Sequence, residues 1–318
     1  MNRKLAKIMP VLCVAALMAA CGHAVASDKP AGSSIAAQAS APKTAAATQS
    51  LCAGHEKAVC ALSQKNPTEQ APGPFDSGKA VIIFTFDDGH ASDYLLAYPI
   101  LTEFGIKGTS YINTKFTDER LKGRLSWEQI KEMSANGWVF GGHTQGHLRM
   151  TKLSDKEIRS DCEGLINSFR NQGLEPPTVM AYPYGACTSK TIEAIKPYFK
   201  QARLADNRKA FVDTASADPF KIPSVSADMQ SKGKLIKAQR IVDKACDKGG
   251  ILVFRVHVLY KNRPYDTVKR NPRVFGGCAP QTDAKLFAEL VKYCVDKGCA
   301  FSTMTELMAY MDAQGTAR

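Results

Sequence analysis

From residue 79 onward, short apolar runs alternate with longer stretches whose apolar residues recur every three or four positions. Residues 81–86 read VIIFTF, an apolar run of strand length. Such a run fits a strand buried on both faces. Residues 93–104 follow with helical spacing, bent or shortened by Pro99. Residues 108–113 repeat the strand pattern. Ser126 opens a helix with Gln129 at capping-box spacing, and residues 138–141 predict a third strand running to His143. Ser154 and Glu157 cap a helix reaching about residue 171. Residues 179–182 predict a fourth strand, and residues 188–199 are helical up to Pro197. Weaker strand signals lie at 201–204 and 221–225. Residues 234–248 form an amphipathic helix closed by Gly249-Gly250, and residues 251–258 a strongly apolar strand that holds Arg255 and His257. A long basic loop spans 261–280. A helix at 283–297, a short strand at 300–302 and a helix capped by Thr303 and Glu306 complete the pattern. Repeated strand–helix alternation predicts an α/β fold with a parallel sheet and helices outside. Polar candidates recur at the carboxyl ends of the strands, where parallel α/β barrels build their active sites.

Upstream of residue 79 the pattern changes. Arg3, Lys4 and Lys7 precede an apolar stretch at 8–20 that is too short to span a membrane comfortably, which reads as an export signal over residues 1–26. Two cleavage readings stand. Ala24-Val25-Ala26 is an A-x-A site that would leave a chain starting at Ser27; Met18-Ala19-Ala20-Cys21 resembles a bacterial lipobox that would leave Cys21 lipidated and tethered to a membrane. The first fits slightly better, because Met18 suits a lipobox less well than Leu. Either way the chain is expected outside the cytoplasm, in the periplasm or beyond. Residues 27–78 read as an Ala/Ser/Thr-rich tether and a cysteine-containing extension that ends near Pro72-Gly73-Pro74. Residues 79–313 read as the catalytic domain.

Ten cysteines are present, with Cys13 and Cys21 in the leader region. The remaining even set in an exported chain predicts disulfides, with Cys52–Cys60 and Cys294–Cys299 as local pairs and the connectivity otherwise unreadable. The formal net charge of +12 points to an anionic neighbourhood such as an envelope surface or an acidic polymer. No run of Lys and Arg with interleaved aromatics supports nucleic acid as the partner.

Candidate chemistry gathers at two strand ends. Asp87-Asp88-Gly89 follows the first strand, where one acid can hold a metal while the other takes a proton. The same tripeptide also suits a plain turn. His143-Thr144-Gln145-Gly146-His147 follows the third strand. Two histidines with one carboxylate make a metal site with open positions, although a histidine pair at this spacing is often solvated surface.

These motifs, with Tyr182-Pro183-Tyr184-Gly185 and His257 near the end of an apolar strand, resemble the NodB-like polysaccharide deacetylases, a carbohydrate esterase family, over about residues 79–311. The resemblance implies a distorted (β/α) barrel of about seven parallel strands and removal of acetyl groups from N-acetylated sugars. It implies Asp88, His143 and His147 as metal ligands, Asp87 as general base and His257 as general acid. Tyr184 would give a backbone N–H to the oxyanion, with Tyr182 and Pro183 beside it at the substrate. By residue type, Tyr182, Tyr184 and Tyr260 suit sugar-stacking walls and equally suit core or rim positions. Zinc is the default metal, with cobalt or nickel admissible. The sequence departs from the family where many members carry an arginine at the start of the third motif to orient the catalytic aspartate. Here Val179-Met180-Ala181-Tyr182 has none, and Arg203 or Arg255 is expected to replace it from another strand. Asp206 is the candidate for the acid that tunes the catalytic histidine.

The activity expected is hydrolysis of N-acetyl groups on an N-acetylglucosamine polymer of the bacterial envelope or its surroundings. An O-acetyl esterase acting on acetylated xylan would use the same triad. A carbohydrate-binding protein on a decayed barrel would need neither a base nor an acid, so the joint presence of Asp87 and His257 weighs against it.

Overall fold

The computed structural model describes residues 73–205, 210–261 and 280–315. Its centre is β1 (Val81–Phe86), every residue of which is buried. Parallel neighbours extend the sheet through β2 (Thr109–Ile112), β3 (Val139–Gly142), β4 (Val179–Ala181) and β5 (Gln201–Arg203) on one side. On the other side, β8 (Ile251–Val256) pairs with β1 along its whole length and with β7 (Val225–Ser226) beyond it, both in parallel. These seven parallel strands form a curled half-barrel, in keeping with the expected NodB-type barrel. Past β5, Ile222 bonds back to Ala202 and receives Leu204, three residues before β7 begins, so this stretch links the two edges of the curl. β11 (Ala300–Ser302) takes the first half of the β1 edge that β2 leaves open.

Helices cover the outside: α1 (Tyr98–Thr102), α2 (Thr114–Asp118), α3 (Trp127–Ala135), α4 (Asp155–Asn171), α5 (Ser189–Ile195), α6 (Lys232–Lys248), α7 (Ala284–Asp296) and α8 (Met304–Ala313). None of the helices among the described residues is long and apolar enough to cross a membrane. The capping boxes expected at Ser126, Ser154 and Thr303 are all formed. Alternation along β1 sorts its side chains. Ile82, Phe84 and Phe86 join the layer packed under the helices, with Phe254, Phe287 and Trp138, while Val81 and Ile83 join an inner cluster plugged by Met304, Leu307 and Met311 of α8. Fully burying such a side chain stabilises the fold by about 1.5–3 kcal/mol.

Several expectations need correcting. The helix expected over 93–104 opens as a wide turn, Asp93–Ala97, before α1. Pro99 has no N–H to return to the Leu95 carbonyl, so the ordinary spacing cannot be kept there. The strand expected over 251–258 breaks at His257, and Val258–Tyr260 (β9) pairs instead with Gln281–Asp283 (β10) in a separate ribbon. The His257 N–H is taken by Asp228 Oδ1, 3.0 Å away, which removes it from the sheet ladder. The 221–225 strand starts only at Val225, after a short turn at Pro219–Lys221; Phe211–Val212 (β6) adds an unexpected antiparallel pairing with β8. The pairing expected for Cys294 and Cys299 is not the one the fold sets up. Cys294 is fully buried, and the Cys299 sulfur lies 3.6 Å from that of Cys246. Cys52, Cys60 and Cys278 lie outside the described residues.

Candidate active site

The site is built from strand ends. Alternation carries Asp87 onward from the inner face that holds Val81, Ile83 and Thr85. Asp88 then leaves the strand in the left-handed region, at φ 75°, and points a different way. Thr144 (φ 61°), His147 (φ 56°) and Tyr184 (φ 62°) are also left-handed, so four such non-glycine residues crowd one site. Each holds local strain of about 1 kcal/mol or more, which the surrounding bonds must enforce. Several of those bonds are visible. The Asn113 side chain donates to the His143 and Thr144 carbonyls, Thr144 Oγ1 accepts from the Leu148 N–H at 2.8 Å, and Asp161 accepts from the Gln145 N–H at 3.1 Å.

Asp88, His143 and His147 converge, with one donor atom from each lying within 4.8 Å of the others. Asp88 Oδ1 is 3.5 Å from His143 Nε2 and 3.3 Å from His147 Nε2. His143 Nδ1 lies 2.7 Å from the Ala181 carbonyl, so that nitrogen donates and Nε2 keeps its lone pair for the site. Burial, and then the charge of His143, push the His147 imidazole down to about 4, which leaves it neutral at physiological pH. Asp88 Oδ1 is buried and has no hydrogen-bond donor among the described residues. Two imidazole nitrogens facing that carboxylate oxygen fit a divalent cation of the zinc type. The expected ligand trio is therefore brought together.

Asp87, 4% exposed, lies beside this trio. Its Oδ1 is bonded by Arg203 Nη2, and its Oδ2 lies 3.9 Å from His257 Nε2. Burial alone would raise this carboxyl. The Arg203 guanidinium, helped by His143, His257 and Arg255, overrides burial and holds it below its ordinary range. Arg203 is itself 1% exposed and is fixed by Ser224 Oγ at 3.0 Å, the Leu204 carbonyl at 3.1 Å and the Tyr111 ring beneath it. The arginine absent from the third motif is thus supplied one strand away. Ala181 and Arg203 are register partners on β4 and β5, so the guanidinium starts at the same height, about 4.8 Å to the side. Arg255 is bonded to Ser224 instead and adds only its charge.

His257 is held by Asp228, whose two oxygens each lie 3.2 Å from Nδ1. This turns Nε2 toward Asp87. Burial would lower the imidazole, but the hydrogen bond and charge of Asp228, with Asp87 and Asp88 adding, raise it above its ordinary value. Asp228 was not picked out from the sequence, although it follows the β7 strand end and that position is the signal that could have marked it. Asp206, the candidate for this part, lies outside the described residues.

Asp87, Asp88, His143, His147, Arg255 and His257 open on one cavity of about 650 Å³, which Tyr184 also lines. Tyr184 is 56% exposed; its ring lies 4.5 Å from that of His147 and carries the Arg149 guanidinium 4.1 Å above it. Tyr182 is 2% exposed and donates its hydroxyl to the Phe220 carbonyl, so it is mainly a core residue that borders the cavity from beneath. Pro183 is buried and starts the turn that presents Tyr184. Tyr260 lines a different groove, with Leu95 and Leu259.

The curled parallel sheet thus gathers an acid pair, a histidine pair and an acid-supported histidine at its strand ends. Residues 76–198 match the model of the polysaccharide deacetylase family. Arg203, Asp228 and His257 lie beyond the matched region. Over 139 residues the chain is 29% identical to the protein YxkH of Bacillus subtilis, covering 44% of this chain and 46% of that one. Over 171 residues it is 26% identical to a poly-beta-1,6-N-acetyl-D-glucosamine N-deacetylase of Staphylococcus aureus, covering 50% of this chain and 58% of that one. The chain thus spans about half the length of these curated relatives. Among solved structures, a Mycobacterium smegmatis protein bearing the polysaccharide deacetylase name superposes with a TM-score of 0.55 at 15% identity, over 78% of this chain and 96% of that one. The chitin deacetylase of Colletotrichum lindemuthianum gives 0.50 at 16% identity, over 72% and 87%. At these identities the two structures speak for the fold alone.

Proposed function

We propose that the chain is an exported, metal-dependent deacetylase that hydrolyses N-acetyl groups on an N-acetylglucosamine polymer. The observation that carries this reading is the placement of Asp87, between Arg203 and His257 and beside the Asp88–His143–His147 trio. Binding alone would need neither a buried base nor a supported acid.

A divalent cation held by Asp88, His143 and His147, most simply zinc, would polarise the acetyl carbonyl and acidify water. Asp87, kept ionised by Arg203, takes a proton from the water that attacks the carbonyl carbon. The Tyr184 N–H, turned by its left-handed backbone, stabilises the developing oxyanion. His257, kept protonated by Asp228, gives its proton to the sugar nitrogen as the C–N bond breaks. The products are acetate and a free amine. Residues 1–26 would direct export, by the A-x-A site or with lipidation at Cys21, residues 27–78 would tether the catalytic domain at 79–313, and the cysteines would pair as disulfides.

The test is acetate release from N-acetylglucosamine oligomers by purified protein, with chelator, with added zinc, and with Asp88→Ala. Acetate that is lost with chelator and in the variant supports the reading. Release from acetylated xylan alone would replace it with an O-acetyl esterase. No release from either substrate by folded, zinc-loaded protein would overturn it.

A further inference from the structure

His90 has no part in the mechanism above, yet it is wholly buried, 0% exposed, against the site. Its Nε2 lies 3.4 Å from Asp88 Oδ2, an ion-pair distance a little beyond the usual hydrogen-bond range. Neither of its ring nitrogens has a hydrogen-bond partner among the described residues. A buried polar group left without a partner is costly, so an imidazole sealed in at this point asks for a reason. The two oxygens of Asp88 face different ways. Oδ1 faces His143 and His147, and Oδ2 faces His90. His90 lies outside the converging trio, so it addresses the far edge of the carboxylate. Its backbone is fixed as well, since its carbonyl accepts from the Asp93 N–H at 2.9 Å and it bridges to Arg124, whose guanidinium donates to the Asp88 carbonyl at 2.6 Å.

We infer that His90 is a positioning residue which, by donating from Nε2 to Asp88 Oδ2, holds that carboxylate with Oδ1 presented to the cation. The inference rests on the metal reading of the trio and adds a residue to it. An imidazole at this place keeps the carboxylate from turning its second oxygen to the metal and leaves the remaining positions to water and substrate. Outer hydrogen bonds of this kind typically govern metal affinity by about 10–100-fold.

The experiment uses the full chain, with zinc titrated against a chromophoric chelator. His90→Phe keeps the ring volume and removes the donor, whereas His90→Gln keeps a donor. Zinc binding is expected to weaken about 10–100-fold in H90F, and in H90Q to stay within a few-fold of the parent. Excess zinc is expected to restore turnover in H90F with KM unchanged, a recovery that damaged packing would not give. Parent-like zinc affinity in H90F, or equal weakening in both variants, would overturn the inference. His90→Leu is the second apolar variant; failure of both H90F and H90L to fold would make His90 a packing residue and would overturn it too. If the parent chain does not bind zinc, the metal reading itself fails and takes this inference with it.

Discussion

Asp87 is flanked by two cations of different kinds: Arg203, charged at every working pH, and His257, which titrates. The difference gives each support its own signature. Asp87 is depressed below its ordinary 3.8, so its pairing stabilises the fold above that pH, and the contribution fades as pH falls through the lower folded value. Arg203→Met leaves a buried carboxylate unpaired and should cost about 3–5 kcal/mol at neutral pH by urea denaturation. The deficit should shrink in acid, where Asp87 becomes neutral. His257 runs the other way. It must carry a proton to act, and Asp228 raises it, so activity should fall as pH climbs through that raised value. Asp228→Asn should move the alkaline limb of the kcat/KM profile to lower pH and reduce kcat/KM at about pH 8 by roughly 10–100-fold, less than the roughly 100–10,000-fold that a general acid supplies, because His257 itself is retained. An alkaline limb left in place by D228N would assign it to some group other than His257.

At the level of elements, the site depends on how closely β3 can approach its neighbours. A Cβ on Gly141 would lie 2.5 Å from the Tyr111 ring and 2.9 Å from the Val179 carbonyl, and Tyr111 is the ring on which Arg203 rests. Gly141→Ala should therefore destabilise by about 1–3 kcal/mol, seen as a lowered thermal midpoint, and should also reduce turnover by disturbing the arginine behind Asp87. The elements and motifs that could be read in advance share one property, that their signal is contiguous. The apolar run of β1, the capping boxes and the acid and histidine pairs each lie within a few residues. What could not be read is set by distant contacts. Arg203 and Arg255 are both candidates by sequence, and only the fold decides between them: Arg203 reaches Asp87 across 116 positions from the β5 register partner of Ala181. Asp228 meets His257 across 29 positions after a two-residue strand too short to leave a period. The break at His257 follows from that same contact, so one missed aspartate accounts for both errors.

Across the whole molecule, His257, the acid of the proposed reaction, lies on a length of chain whose two ends meet at sulfur. Cys246 ends near the close of α6, Cys299 stands just before β11, and β8 and His257 lie between them. Their sulfurs are 3.6 Å apart across 53 positions, whereas Cys294, five residues from Cys299, is turned into the core. A small displacement of the two side chains would allow a bond of about 2.05 Å to form. With oxidised glutathione as the oxidant, one protein disulfide forms and two glutathione thiols are released, so protons and electrons balance without any further reagent. Peptide mapping without reductant should find Cys246 joined to Cys299, and the linked protein should be more stable than the reduced one. Closing a loop of this length is worth about 4 kcal/mol in the chain-entropy account. Cys246→Ser should abolish that gain, while Cys294→Ser should leave the link intact. A Cys294–Cys299 peptide would instead show that the local pairing suggested by sequence spacing prevails over the contact made by the fold. If the link forms as described, the segment carrying His257 is tied at both ends to the half-barrel. Reduction should then lower stability without shifting the alkaline limb of activity, because Asp228 holds His257 through direct hydrogen bonds that involve neither cysteine.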